Sequence, residues 1–89
     1  MHERGVTLAL MKRVEEEVGA TGEERITTLR FRIGALSDVD PVWLERDLAD
    51  QSARRWGYAP EMVFEQSDDA GDANALGVTL VSIGVEARS

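Results

Sequence analysis

Apolar residues recur along this chain with two different periods, and the period decides the element. Over residues 4–18, Thr7, Leu10, Met11, Val14 and Val18 fall at helical spacing, and Gly19 is placed to end the run. Lys12, Arg13 and the Glu15–Glu16–Glu17 run fall mostly on the wet side. Successive helical positions turn by about 100°, so three adjacent glutamates fan out and read as a solvated face, not a metal cluster. The segment ATGEER then makes a turn, and ITTLRFRIG alternates. Thr27, Leu29, Phe31 and Ile33 point one way, and Thr28, Arg30 and Arg32 the other, which is the pattern of a half-buried strand. Arg30 and Arg32 make a small basic stripe on its wet face.

Gly34 closes that strand and ALSDVDP leads to a second helix. Asp40 suits the N-cap and Pro41 the first helical position, where a missing N–H costs nothing. Leu44, Leu48, Ala49, Ser52, Ala53 and Trp56 form a thin inner stripe, with Trp56 as its main anchor and Gly57 at its end. EMVFEQ is a short strand with Met62 and Phe64 on one side. VTLVSIGVE is the last strand, with Val81, Ile83 and Val85 facing one way and Val78 and Leu80 the other. The polar stretch at residues 66–77 is expected to join these two strands as a hairpin. The order helix, strand, helix, strand, strand predicts an α+β two-layer domain, a three-stranded sheet packed against two helices.

Composition narrows the class. Eighty-nine residues make one domain with a modest core. There is no cysteine, so neither a disulfide nor a thiolate metal site is available. The first residues are too charged for an export signal, and no run approaches the roughly 20 apolar residues of a membrane span. A cytoplasmic protein that does not enter the membrane is expected. The net charge of −7 repels phosphate backbones and argues against a nucleic-acid partner.

Most catalytic signatures are absent. Gly34 has no Gly-Lys-Ser/Thr sequel, so there is no phosphate loop. DDAGDAN lacks the alternating ligands and distal glutamate of a calcium loop and reads as a solvated turn. No carboxylate pair is marked as an acid–base couple, so no enzyme is expected.

The single histidine, His2, follows Met1 directly. The terminal amine, the His2 amide nitrogen and its imidazole can chelate one metal through fused five- and six-membered rings, with the Glu3 amide or carboxylate as fourth donor. A planar nitrogen set favours Ni(II) or Cu(II) over Zn(II). These donors must lose protons, so binding weakens as pH falls through roughly 6.5–8. The bulky second residue should leave the initiator methionine in place. The competing reading is a histidine of no consequence near a loose terminus.

MHE, an amphipathic helix, then LRFRIGALSDVDP and the returning LVSIGVE together resemble the HypA-type hydrogenase and urease nickel incorporation proteins. The resemblance covers residues 1–66 and 76–86. It implies that Ni(II) is transient cargo held by Met1, His2 and Glu3. Asp40 stands where an aspartate has been implicated in some members, beside its plain reading as a helix cap. The family's zinc module, with its two Cys-x-x-Cys pairs, is replaced here by a short loop near residues 67–76, so no zinc is expected. The resemblance implies a metallochaperone for nickel enzymes such as nickel-iron hydrogenase. Its expected partner is a maturation GTPase or the large subunit of the nickel enzyme. The alternative is an interaction module of the same maturation system that has lost its metal. Either could form a homodimer by pairing its sheet edges or last strand between chains.

Overall fold

The computed structural model describes residues 3–18 and 24–87. The elements are α1 (Glu3–Val18), β1 (Glu24–Ile33), α2 (Pro41–Trp56), β2 (Glu61–Gln66) and β3 (Val78–Ala87). This is the expected α+β order. The apolar stripes of the two helices meet one face of the sheet: Leu10, Met11 and Val14 of α1, Leu44 and Leu48 of α2, and Ile26, Leu29 and Phe31 of β1 form one buried cluster. Thr7 and Ser52 are the buried polar members among the described residues. The Ser52 hydroxyl donates to the Leu48 carbonyl at 2.7 Å, a bond back along its own helix that removes the cost of burying it.

Strand order differs from the expected hairpin. The sheet runs β2-β1-β3, with β1 parallel to β2 and antiparallel to β3. The strand with the most buried side chains, among them Ile26, Leu29, Phe31 and Ile33, therefore lies in the centre, and α2 is the crossover that parallel pairing requires. The segment 67–77 passes over the end of β1 instead of turning β2 into β3. It is fastened there by Gly34 N–H to the Gly77 carbonyl and Leu36 N–H to the Ala75 carbonyl, each at 2.8 Å. Parallel pairing also brings Phe31 opposite Phe64, whose rings stack at 5.4 Å.

Two β-bulges shift the inward phase of the long strands. Ile26 pairs with Val85 and Thr28 with Gly84, leaving Thr27 as an extra residue on β1. Ile26 is consequently buried, whereas Thr27, expected on the inner face, is only half-buried. Arg30 pairs with Ser82 and Phe31 with Leu80, leaving Val81 extra on β3. Val78, Leu80 and Ile83 pack on the core, while Val81 and Val85 are 38% and 42% exposed. The expected division of β3 into two apolar faces is thus corrected by a bulge that exchanges the faces midway. On α2, Ala53 is exposed instead of buried, and the fully buried Leu44 and Leu48 are the helix's anchors in place of Trp56, which, like Trp43 near the other end of the helix, is only partly buried against the core.

Candidate metal centre

Met1 and His2, and the side chain of Glu3, lie outside the described residues. What the fold determines is the environment at the beginning of α1. Each helix runs opposite to β1, one leading into that strand and the other leading away from it. The two helices are therefore parallel, and their contacts advance in step. Met11 Sδ lies 3.8 Å from Ser52 Oγ. One turn further along both helices, Glu15 accepts from Arg55 Nη1 at 2.7 Å and from Trp56 Nε1 at 3.3 Å. Both helices therefore start at the same end of the domain, the end where β1 finishes.

Asp40 stands at that end. Its backbone is extended (φ −77°, ψ 114°), and its Oδ1 accepts from Val42 N–H at 3.0 Å, so it is the helix N-cap. The Asp40 carbonyl accepts from Leu44 N–H at 2.9 Å, and Pro41 occupies the first helical position. Capping thus engages Oδ1 of an exposed carboxylate, and a cation approaching Asp40 would meet Oδ2. The cap and the start of α1 are brought to one end of the molecule although their residues are far apart in sequence. No signal local to either segment carries that juxtaposition; it follows from the parallel helix pair.

Several other acidic groups are engaged locally. Glu15 is tied to α2, and Arg13 bridges Glu17 on the helix surface. In the crossing segment, Asp69 Oδ1 accepts from Gly71 N–H and Asp72 Oδ1 from Asn74 N–H, both at 3.0 Å. These aspartates shape a turn through bonds to the backbone two residues on. Among the described residues, no group of three or more metal-ligating side chains is gathered. The basic stripe is partly neutralised: Arg30 and Arg32 share Glu65, at 3.0 and 3.3 Å. One feature escaped sequence reasoning altogether. Asp47 Oδ2 is buried with no hydrogen-bond partner among the described residues, beside a shallow hollow lined with Trp43, Arg46 and Asp50. No motif marks that position.

No described helix is long and apolar enough to cross a membrane. Comparisons with protein-family models, with curated proteins and with solved structures gave no match.

Proposed function

We propose that this domain is a nickel-binding accessory protein, a metallochaperone that holds Ni(II) at the beginning of its chain and passes it to an acceptor in nickel-enzyme maturation. The donors are the Met1 amine, the His2 amide and imidazole, and Glu3, with Asp40 as a carboxylate at the same end. The observation that supports this reading is the parallel packing of α1 and α2, which starts both helices at one end of the fold, so that Asp40 caps α2 at the end where α1 begins with Glu3. A site there sits at one extremity of the fold, where an acceptor can exchange ligands with the metal without opening the core. The role is one of binding and transfer, not catalysis, and the acceptor is a maturation GTPase or the nickel enzyme's large subunit.

The test is a Ni(II) titration by calorimetry of three proteins: the native start, His2→Ala, and a form extended before Met1. Tight binding is expected only for the first, because the second lacks the imidazole and the third has an amide where the amine should be. Equal affinity for all three overturns the assignment and leaves the domain as an interaction module.

A further inference from the structure

We propose that β3 is a homodimerisation edge, pairing antiparallel with β3 of a second copy about a two-fold axis near Ser82 and Ile83. Such pairing needs no nickel and stands apart from the metal reading. β3 is ten residues long and forms one border of the sheet, so its outer N–H and C=O groups meet no strand among the described residues. Native proteins usually protect such an edge with lysine, proline, shortness or a bulge. β2, at the other border, is only six residues long, follows Pro60, and carries Glu61 and Glu65. β3 has no lysine, arginine or proline, and its one acidic residue, Glu86, is next to its end. Its bulge at Val81 exposes a valine instead of a charge.

Charge on the neighbouring helix selects the occupant. The groove between α1 and the free edge of β3 is lined by Arg13, Glu17 and Val18 from the helix and by Val81, Ile83 and Val85 from the strand. Because β3 is antiparallel to β1, as α1 is, α1 and β3 run in the same direction. A two-fold that reverses β3 against its copy therefore also reverses α1 against its copy. Arg13 of each chain then faces Glu17 of the other, with the exposed valines between. One cation and one anion, a turn apart on one helix, are complementary to themselves under that rotation and to no ligand of a single sign. A second copy supplies both the missing strand and the matching charges, and the product is a continuous six-stranded sheet, closed by symmetry.

The test measures mass against concentration by sedimentation equilibrium, on the metal-free full chain. The wild type is expected to pass from monomer to dimer, and Val81→Lys to remain monomeric with an unchanged circular-dichroism spectrum. Arg13→Glu and Glu17→Arg, each alone, should raise the dissociation constant at least about fivefold, since both place like charges across the axis. An equimolar mixture of the two variants should recover the dimer as a heterodimer, in which every contact across the axis again pairs a carboxylate with a guanidinium. Neither variant retains the intrachain Arg13–Glu17 bridge, so recovery in the mixture reports the contact between chains. A wild type that is monomeric throughout, a dimer that survives Val81→Lys, or a mixture no tighter than its components overturns the proposal.

Discussion

At the scale of single residues, Gly34 carries more of the fold than its size suggests. A Cβ built there would lie 2.2 Å from the Ala75 carbonyl oxygen and 2.5 Å from that of Asn74. Both obstacles are backbone atoms, and the same segment donates and accepts the bonds that hold the crossing over β1. A side-chain rotation cannot relieve the clash, so the crossing itself must lift. Gly34→Ala should therefore cost about 3 kcal/mol, at the upper end of overpacking penalties. It should appear as a lower urea midpoint with an unchanged slope. Gly5, inside α1, has nothing within 4 Å of its would-be Cβ. Gly5→Ala should go the other way, stabilising by about 0.5–1 kcal/mol through helix propensity. The contrast between the two glycines checks that the cost at position 34 is steric.

At the scale of elements, the helices were legible in the sequence and the sheet only in part. Period and caps are local, and α2 begins after Asp40 and ends at Gly57, which adopts φ 81° and donates to the Ala53 carbonyl at 3.0 Å. Strand faces were harder, because Thr27 and Val81 each interrupt the alternation and a bulge leaves no mark in the hydrophobic pattern. Strand order was harder still: a polar connection of this length suits a hairpin as well as a crossing. The decisive contacts, Gly34 with Gly77 and Leu36 with Ala75, are long-range. Of the candidate site, Met1, His2 and the side chain of Glu3 lie outside the described residues, and the capping role of Asp40 was legible. The position of Asp40 at the end where α1 begins was not, because it depends on how two helices align. The two roles of Asp40 are separable through α2. Asp40→Ala removes the cap and should cost about 1 kcal/mol in urea denaturation, whereas Asp40→Asn, an equally good cap, should leave stability nearly unchanged. Any effect of Asp40→Asn on nickel affinity then belongs to the carboxylate's charge and not to the helix end.

At the scale of the whole molecule, the question is how nickel and the fold are coupled. A chelate made of three successive residues needs no fold, since the unfolded chain offers the same amine, amide and imidazole. A ligand that binds both states alike does not shift the equilibrium, and only preference for the native state stabilises it. Nickel held by Met1, His2 and Glu3 alone would leave the melting temperature where it was. Joining Asp40 to the shell would change this, because the folded helix pair holds that carboxylate at the end where α1 begins and the unfolded chain does not. Full exclusivity for the folded state would contribute about 2.7 kcal/mol at a hundredfold excess over the dissociation constant. One supplementary carboxylate shared with a cap contributes a fraction of that, and in a domain of this size about 1 kcal/mol moves the midpoint by roughly 4–8 °C. The expected result is a nickel-dependent rise of a few degrees in the wild type, absent in Asp40→Asn and in His2→Ala. Tight nickel binding with no rise in any of the three would confine the metal to the first three residues and exclude Asp40 as a ligand. A rise that persists in Asp40→Asn would require a different folded-state donor. The size of the shift thus reads how far the site reaches from the chain's beginning into the folded domain, which affinity alone does not report.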